Sequence, residues 1–455
     1  MLHFSDTVAA ISTPRGKGGI AVIRISGPDT AAVLGRVFRG KRDPVSHPRH
    51  ACFGQIVEGE RVLDEGLAIY FPAPHSFTGE DVAELSCHGG ALLTETVLGA
   101  VLAAGAAAAP AGEFTKRALL NGKITLSAAE ALGAMLEAAT TGQMTLARGG
   151  MAGKLSAAVS ERFERLTALL ADAYAKIDFP DEDLNTMSRE ELTEALIEER
   201  AHIEALLATY RTGHAVAEGI STVICGPVNA GKSTLYNALV GRNAAIVTDV
   251  AGTTRDILTE TVALGTVTLR LYDTAGLRET DDAVEGIGVE RAKEAMQEAE
   301  LILAVLDATK PLGEAESAFL AELERLPGTV ILLLNKSERK SALQAKMFEN
   351  FEHVLQISAQ SGEISALREL VERLYLCDGI SLWEDAVVSN ARQYGALSRC
   401  AEGLAVAIDS LQGGIPLDAA CVDAELALQA LGEVDGRAVD EEIVASIFSH
   451  FCVGK

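Results

Sequence analysis

The spacing of hydrophobic and polar positions changes along the chain and divides it into segments of different type. Over roughly the first 120 residues, short runs with strand-like alternation are interleaved with helical stretches. The strand-like runs are 19–25, 54–56, 67–71 and 82–86, and the helical stretches lie around 28–38 and 92–104. This segment is therefore predicted to be an α+β domain.

Residues 126–217 carry a helical pattern, in which leucine and alanine recur every three or four positions. The stretch 178–183 interrupts this pattern, and Ser188 with Glu191 forms the capping-box signature of a new helix. The helical pattern returns at 387–411, 417–431 and 438–448. The simplest packing joins both helical segments into one bundle, and the alternative is a separate C-terminal tail of helices.

Between the two helical segments, apolar strand-like runs are each followed by a polar loop. The runs are 222–225, 267–272, 330–334 and 354–357. Their order predicts an α/β domain with a parallel-rich sheet and flanking helices. The predicted organisation is an N-terminal α+β domain (1–120), a helical domain (121–217 plus 378–455) and an α/β domain inserted at 218–377, whose two ends must lie close together.

Composition agrees with a globular protein of several domains. The 455 residues are 48% apolar, which is enough for more than one core. No stretch reaches the roughly 18 apolar residues of a membrane span, and residues 1–6 do not open a signal peptide. No membrane contact and a cytoplasmic location are therefore expected. Seven scattered cysteines without CxxC spacing argue against a structural zinc site, while Cys452 is either a reactive thiol or a packed residue of the tail.

The chemistry begins at residues 226–233, GPVNAGKS, which fit the phosphate-binding pattern GxxxxGK[ST] and are called the P-loop below. The P-loop lies between a strand-like run and a helical one, which is the context that this motif requires. Its backbone N–H groups can face phosphate oxygens, Lys232 can reach the outer phosphates, and the Ser233 hydroxyl can ligate Mg²⁺. The chain is predicted to bind a nucleoside triphosphate.

Further motifs follow in the order and spacing of a Ras-like GTPase. They are Thr253-Thr254, Asp273-Thr-Ala-Gly276, Asn335-Lys336-Ser-Glu338 and Ser358-Ala359. Taken singly each motif is weak, but the ordered set leaves little room for coincidence. GTP and GDP are the predicted ligands.

On the phosphate side, Thr254 is placed to close over the γ-phosphate and to give Mg²⁺ a second hydroxyl. Asp273 would hold the ion through its water shell, and Gly276 would contact the γ-phosphate through its backbone N–H. In Ras-type enzymes a glutamine follows this glycine and orients the attacking water, whereas this chain has Leu277. The orienting group must lie elsewhere, and the acidic stretch 279–285 offers candidates.

On the base side, Asn335 and Glu338 are predicted to bind the edge of guanine, while the stem of Lys336 packs along the ring. Ser358 and Ala359 complete the base-binding set. The usual motif is NKxD, and Glu338 has one more methylene than the aspartate. Guanine remains the predicted base.

The combined motifs closely resemble the MnmE (TrmE) family of tRNA modification GTPases. The resemblance covers essentially the whole chain. It is carried by Asn229 in the P-loop, TDVAGTTRD at 248–256, DTAGLRE at 273–279, FCVGK at 451–455, and RISG at 24–27, FTGED at 77–81, HGG at 88–90, GEFTKR at 112–117 and NGK at 121–123.

For the nucleotide, the resemblance implies that a K⁺ ion replaces the arginine finger of other GTPases. It also implies that Glu285 orients the water and acts in catalysis with Lys232 and Thr254. The implied K⁺ ligands are Asn229, Thr248, Val250 and Thr253. The implied GTP-binding residues are Asn229, Ala230, Gly231, Lys232, Ser233, Thr234, Thr248, Thr253, Asp273, Gly276, Asn335, Lys336, Glu338, Ser358 and Ala359, with Ser233 and Thr254 on Mg²⁺.

For the N-terminal domain, the resemblance implies a site for a tetrahydrofolate derivative, 5-formyl- or 5,10-methylene-tetrahydrofolate, made by Arg24, Glu84, Lys123 and the terminal Lys455. The apolar Phe451 and Val453 predict that the tail docks. A folate glutamate tail suits cations, and a pterin edge suits a carboxylate. Removing the tail should then abolish folate binding.

The resemblance also implies a homodimer and a partner, the FAD-carrying flavoprotein MnmG (GidA), with which the chain would modify the wobble uridine of certain tRNAs. A net charge of −25 is unlike that of a nucleic-acid binder, so tRNA contact would come mainly through the partner. A GTP-gated ribosome assembly factor of the Era or Der type is the main alternative, although neither a basic GxxG loop nor a second P-loop is present. A folate-dependent methyltransferase with a vestigial nucleotide site is a third possibility.

Overall fold

A computed structural model describes residues 6–14, 16–179, 186–243, 259–272, 294–437, 447, 448, 451 and 454. The chain forms two compact units, Met1–Gly133 with Asp435–Lys455, and Ala134–Val434. No helix within the described ranges is long and apolar enough to cross a membrane. Each unit has its own sheet.

The first unit is built on a seven-stranded sheet in the order β3-β4-β5-β6-β2-β1-β7. Neighbouring strands are antiparallel except β1 and β7, which are parallel. The strands are β1 (Val8–Ile11), β2 (Ile20–Ser26), β3 (Phe38–Gly40), β4 (Cys52–Glu58), β5 (Arg61–Phe71), β6 (Val82–His88) and β7 (Ala107–Ala108). The helices are α1 (Thr30–Val37), α2 (Ala91–Ala103), α3 (Glu113–Leu120) and α4 (Leu126–Glu137), whose last four residues belong to the second unit.

Strand β2 shows why this sheet has two different faces. Ile23 and Ile25 are fully buried and pack with Leu34 of α1 and Val97 of α2. Side chains alternate along a strand, so Arg24 lies on the opposite face. That face is approached by α3, whose buried Phe114 packs on β1. One face of the sheet is thus a hydrophobic core and the other holds charged chemistry.

The predicted mixture of strands and helices in this segment is confirmed, with two differences. Strand β5 begins at Arg61, well before the predicted 67, and the strands β1, β3 and β7 were not predicted. Gly66, directly before the predicted start, lies in the middle of β5, although glycine is generally unfavourable in strands. A Cβ at Gly66 would lie 2.0 Å from the carbonyl oxygen of Ser86, so glycine is required there by the adjacent strand.

The second unit contains a helical bundle. Its helices are α5 (Thr141–Met151), α6 (Lys154–Asp178), α7 (Arg189–Ala208), α8 (Tyr210–His214), α12 (Ala391–Gln412) and α13 (Leu417–Asp435, whose last residue belongs to the first unit). Leucine and alanine side chains of α6, α7, α12 and α13 share one core, so both helical segments pack together. Helix α6 ends at the predicted break, and α7 begins with the predicted capping box between Ser188 and Glu191.

The same unit contains a six-stranded sheet in the order β13-β12-β11-β8-β10-β9. All neighbouring pairs are parallel except the β9–β10 hairpin. The strands are β8 (Ile220–Cys225), β9 (Thr259–Leu264), β10 (Val267–Tyr272), β11 (Leu301–Asp307), β12 (Thr329–Asn335) and β13 (His353–Gln356). The helices are α9 (Lys232–Asn243), α10 (Glu314–Leu323) and α11 (Ser365–Tyr375), with a 3-10 turn at Ala345–Met347. The parallel-rich α/β fold predicted from the sequence is confirmed.

The chain enters this sheet through a π-helical turn, Ala215–Gly219, and leaves it after α11. The two connections touch: the Cys377 N–H donates to the Thr212 hydroxyl over 2.7 Å, and the Val388 N–H donates to the Thr209 hydroxyl over 3.0 Å. Entry and exit therefore lie side by side, as an insertion requires. The three domain limits stay a prediction, since bundle and sheet form one compact unit.

Candidate functional site

The P-loop follows β8, which lies inside the sheet between β11 and β10. Gly226 has φ +146°, and a Cβ there would lie 2.2 Å from the carbonyl oxygen of Val305. Gly231 has φ +103°, and its Cβ would lie 2.1 Å from Asn335 Nδ2. Both positions admit only glycine, because neither the backbone conformation nor the space suits a side chain. The glycines of the motif are therefore explained by contacts with neighbouring strands.

Helix α9 begins at Lys232, so its first N–H groups open towards the P-loop and form an anion-binding helix end. The Lys232 ammonium donates to the carbonyl oxygens of Gly226 and Pro227, each over 2.8 Å. Ser233 and Thr234 are exposed in the first helical turn, and Ala230 is buried beneath the loop. Two hydroxyls and an ammonium thus lie at the mouth of the helix end, as phosphate and Mg²⁺ binding require.

Asn335, at the end of β12, joins three loops. Its side-chain Nδ2 donates to the Ala230 carbonyl over 2.9 Å, and its Oδ1 accepts from the Ala359 N–H over 3.0 Å. The side chain is buried, and both ends of its amide are satisfied. The P-loop, the loop after β12 and the Ser358-Ala359 turn are consequently held at one edge of the sheet.

Glu338 lies in the loop after β12 with its side chain about one-third exposed, 34%. Hydrogen bonding from the Ser358 side chain, followed by a backbone hydrogen bond, holds the pKa of its carboxyl below the ordinary value. Arg339 lies 3.9 Å away as an ion-pair partner. The carboxylate is therefore charged at neutral pH and is a hydrogen-bond acceptor, while its contact with guanine stays a prediction.

Lys336 has φ 68° and Asn229 has φ 64°, both in the left-handed region. The Lys336 ammonium donates to the Asn229 carbonyl oxygen over 2.9 Å and to Asp307 Oδ2 over 2.6 Å. Asp307 ends β11 and was not among the residues predicted from the sequence. The available signal was an acidic residue at the end of a buried parallel strand, at the edge where the other motifs lie.

In the N-terminal unit, Arg24 of β2 lies directly opposite Glu84 of β6 in the strand register. Its Nη2 and Nε donate to Glu84 Oε1 over 2.9 and 3.1 Å. The guanidinium carbon lies 5.4 Å from the ring centre of Phe77 and 5.6 Å from that of Phe114. A charged pair is thus framed by two aromatic rings, one of which, Phe77, is partly exposed.

Lys123 is close to the same loop that carries Phe77. Its ammonium donates to the Pro74 carbonyl over 2.9 Å, and a Cβ at Gly79 would lie 3.2 Å from its Cγ. The neighbouring Asn121 donates to the Thr78 carbonyl over 2.8 Å. The loop 74–79 therefore connects Lys123 with the Arg24 and Glu84 pair.

The C-terminal tail lies on this unit. The Gly454 carbonyl accepts a hydrogen bond from the Ser12 hydroxyl over 2.8 Å, and a Cβ at Gly454, where φ is +97°, would lie 2.1 Å from the Ile11 carbonyl oxygen. The ring of Phe451 packs on Gly133. Docking of the tail is thus shown for Phe451 and Gly454, and Gly454 lies at the end of β1, the strand that pairs with β2.

Comparison with known proteins bears on both regions at once. A family model described as the GTP-binding protein TrmE N-terminus matches residues 7–123, and one described as the MnmE helical domain matches residues 126–452. The chain is 38% identical over 462 residues to a tRNA modification GTPase MnmE from Clostridioides difficile, covering 100% of both chains. It is 40% identical over 467 residues to one from Heliobacterium modesticaldum, covering 99% of both.

The chain belongs to the MnmE family of tRNA modification GTPases. Its P-loop domain is therefore that of a GTPase. Among solved structures, an Aquifex aeolicus Era variant bound to GDP and AlF₄⁻ matches 41% of this chain and 67% of its own, with 26% identity and a TM-score of 0.27, which is too low to add to the family result.

The remaining residues singled out in the sequence have no described placement. They are Thr248, Val250, Thr253, Thr254, Asp273, Gly276, Glu285, Cys452 and Lys455, which lie outside the described residues. Of the predicted GTP-binding set, the structure brings together the P-loop residues with Asn335, Lys336, Glu338, Ser358 and Ala359. Of the predicted folate-binding set, it brings together Arg24 and Glu84, with Lys123 on the adjoining loop.

Proposed function

We propose that this MnmE family member hydrolyses GTP to drive modification of C5 of the wobble uridine in certain tRNAs, adding a carboxymethylaminomethyl or aminomethyl group. The observation that carries the proposal is the double hydrogen bond of Asn335, which brings the P-loop and the two base-side loops to one edge of a parallel sheet. In the same chain, the first unit presents the charged Arg24 and Glu84 pair on a sheet face. One chain thus combines a nucleotide site with a site of different chemistry.

Hydrolysis needs a positive charge around the γ-phosphate and an oriented water. Lys232 supplies one charge, while Ser233 and Thr254 would hold Mg²⁺. Asn229 and the segment that contains Thr248, Val250 and Thr253 would hold K⁺. The exposed Asn229 has its carbonyl oxygen held by Lys336, so its amide oxygen is the group left for a cation. K⁺ at this place would supply the charge that other GTPases take from arginine.

The water-orienting role is proposed for Glu285. Leu277 cannot orient water, because its side chain neither donates nor accepts hydrogen bonds, so the orienting group must lie elsewhere. The acidic stretch 279–285 offers candidates, and the family resemblance implies Glu285 among them. A glutamate carboxylate can accept a hydrogen bond from the attacking water, and it can also take a proton from that water as a general base. Either role leaves the water oxygen directed at the γ-phosphorus.

The N-terminal unit suits a tetrahydrofolate derivative. Glu84 offers carboxylate oxygens to the N–H edge of a pterin, and Phe77 offers an exposed ring face beside it. Lys123, and Lys455 at the end of the docked tail, would bind the glutamate part. The carbon of the new uridine substituent would then come from the folate.

The tRNA contact is proposed to come mainly through the flavoprotein MnmG with its FAD. With 64 acidic and 39 basic residues, this chain does not provide the broad basic surface that phosphate backbones require. A homodimer formed through the N-terminal units, in the cytoplasm where tRNA is modified, completes the proposal.

The decisive experiment is nucleoside analysis of tRNA from a strain that lacks this gene. Loss of the modified wobble uridine, restored by the wild-type gene and not by a Lys232→Ala gene, is the expected result. Normal tRNA together with accumulated ribosomal precursors would instead support the Era or Der type of function. Lost modification that the Lys232→Ala gene restores would point to a methyltransferase that does not use its nucleotide site.

A further inference from the structure

Asp307 connects the base side of the nucleotide site to its phosphate side. Its Oδ2 lies 2.6 Å from the Lys336 ammonium, and that ammonium also donates to the backbone carbonyl of Asn229 in the P-loop. Asp307 ends β11 opposite Asn335, which ends the parallel strand β12, and Lys336 follows Asn335 directly. The chain of contacts runs from a strand end, through one lysine, to the middle of the P-loop.

The carboxylate of Asp307 is itself fixed. Its Oδ1 accepts from the Thr309 N–H over 3.0 Å and from the Thr309 hydroxyl over 2.6 Å. Its side chain is only 11% exposed, whereas that of Lys336 is 26% exposed. Partial burial alone would raise the pKa of Asp307, but hydrogen bonds from Lys336 and Thr309 outweigh burial and lower it. Asp307 is therefore a fixed anion, and its ion pair holds the Lys336 ammonium in one position.

The backbone shows why ordering Lys336 matters. Asn229 and Lys336 both have positive φ, a backbone conformation that is uncommon for residues with a Cβ, although less so for asparagine. One hydrogen bond joins these two residues. A lysine stem has several rotamers of similar energy, so without an anchor its ammonium would spend less time on the Asn229 carbonyl.

We propose that Asp307 is a positioning residue for nucleotide binding, which holds Lys336 across the P-loop so that the base-binding loop and the phosphate-binding loop keep one geometry. Asp307 need not touch the nucleotide. It acts through Lys336, whose stem is predicted to pack along the base while its ammonium donates to the P-loop backbone at Asn229. The proposal rests on the nucleotide site of a GTPase and is independent of tRNA, folate and K⁺.

A positioning role for Asp307 and a purely electrostatic one predict opposite changes in nucleotide affinity when its charge is removed. An acidic residue close to phosphates repels them, so removing its charge should tighten nucleotide binding if Asp307 were only a nearby charge. A positioning role predicts the reverse. In Asp307→Asn, a neutral and nearly isosteric variant, the dissociation rate of a fluorescent GDP analogue should rise about three- to tenfold, as for loss of a charge-assisted hydrogen bond.

The experiment is a double-mutant cycle on the full-length protein, with GDP release followed by stopped-flow fluorescence. In a Lys336→Met background, Asp307→Asn should change the release rate less than about twofold, because the residue through which Asp307 acts is gone. Glu314→Gln is the matched control, since it removes a carboxylate from an exposed position in the same domain and should leave release unchanged.

Thr309→Val provides a second route if Asp307→Asn unfolds, because it loosens the carboxylate without removing it. Faster GDP release in Thr309→Val supports the proposal if the Thr309→Val change has no such effect in the Lys336→Met background. Equal effects of Asp307→Asn in both backgrounds, or tighter GDP binding in the single variant, would overturn it. Faster GDP release in Asp307→Asn, together with normal wobble-uridine modification in a strain that lacks the gene, would count against the proposed function and leave this inference standing.

Discussion

His214 Nε2 lies 3.1 Å from Glu300 Oε1, joining the last residue of α8 to the residue before β11. The other ring nitrogen lies 3.3 Å from Glu218 Oε2, which is an ion-pair distance without hydrogen-bond geometry. Glu300 in turn accepts from the Ser221 N–H over 2.9 Å, at the start of the strand that leads to the P-loop. One imidazole therefore bridges the entry to the sheet and a neighbouring strand.

This bridge predicts a loss of stability in alkaline solution. Glu218 and then Glu300 raise the pKa of His214 to about 9, from 6.5, against the opposing effect of burial. Because the folded pKa is raised, the stabilisation is complete below pH 6.5 and is lost as pH rises to about 9. With partner carboxylates 38–40% exposed, about 1–2 kcal/mol is expected after allowance for solvent screening.

The measurement is the free energy of unfolding in urea at several pH values, followed by the single tryptophan, Trp383, which stacks with Arg148 at 4.1 Å. His214→Gln should remove most of the change between pH 6.5 and pH 9. Arg270, which lowers the pKa of Glu218, and Tyr210, whose ring is 5.5 Å from that of His214, also face the bridge. Their Arg270→Gln and Tyr210→Phe variants should retain an alkaline loss, and an unchanged profile in His214→Gln would assign that loss to other groups.

A second prediction concerns Glu199, a carboxylate 3% exposed in the helical bundle. Burial raises its pKa, although Arg162 at 3.3 Å acts in the opposite direction. Removing the cation leaves a buried carboxylate without its partner, so Arg162→Met should cost about 3 kcal/mol of unfolding free energy at pH 8. Adding Glu199→Gln should recover most of that loss. Calorimetric unfolding of the single and double variants checks this, and additive losses would contradict it.

A third prediction concerns the P-loop. In Gly231→Ala the new methyl group would lie 2.1 Å from Asn335 Nδ2, which breaks the joint between three loops. A loss of about 3 kcal/mol, or about a hundredfold in Kd for GDP, is expected. Gly241→Ala is the control, because its Cβ meets nothing within 4 Å among the described atoms and helix α9 favours alanine there. Calorimetric titration with GDP separates the two variants.

A fourth prediction concerns the docked tail. Gly454→Ala places a methyl group 2.1 Å from the Ile11 carbonyl oxygen at a residue with positive φ, so the tail should detach from this unit. The variant should then behave like a protein from which residues 451–455 are deleted. Both changes should abolish binding of 5-formyltetrahydrofolate and leave GDP affinity unchanged. Gly99→Ala, in a helix of the same unit with no described atom within 4 Å of its Cβ, is the control. Retained folate affinity in the deletion variant would refute the role of the tail.

A fifth prediction concerns the cation. GTP turnover should be faster in K⁺ than in Na⁺, and Asn229→Ala should remove about a hundredfold of the K⁺-dependent rate, comparable with loss of other transition-state charge stabilisation. Glu285→Ala should bind nucleotide and turn over slowly in both salts. Phosphate release at fixed ionic strength is the measurement. Equal wild-type rates in the two salts would exclude the proposed K⁺ site.

Much of the architecture could be predicted from local sequence patterns. The run 267–272 became β10 with the same limits, and the Ser188 and Glu191 pair became a capping box, because both depend on neighbours a few residues away. The P-loop glycines were also predictable as a motif. The physical reason for these glycines could not be predicted, because Gly231 is constrained by the side chain of Asn335, which is distant in the sequence.

Only the tertiary structure decided which distant groups meet. Asp307 with Lys336, 29 residues apart, and His214 with Glu300, 86 residues apart, carry no local signature, because each pair depends on strand order in a sheet. Arg24 and Glu84 were paired only by resemblance until the antiparallel register of β2 and β6 placed them opposite each other. Periodicity and motifs report contacts between residues that are close in the sequence. Charge pairing across a sheet is fixed by the strand order, and because many different sequences share one strand order, no local pattern identifies the pair.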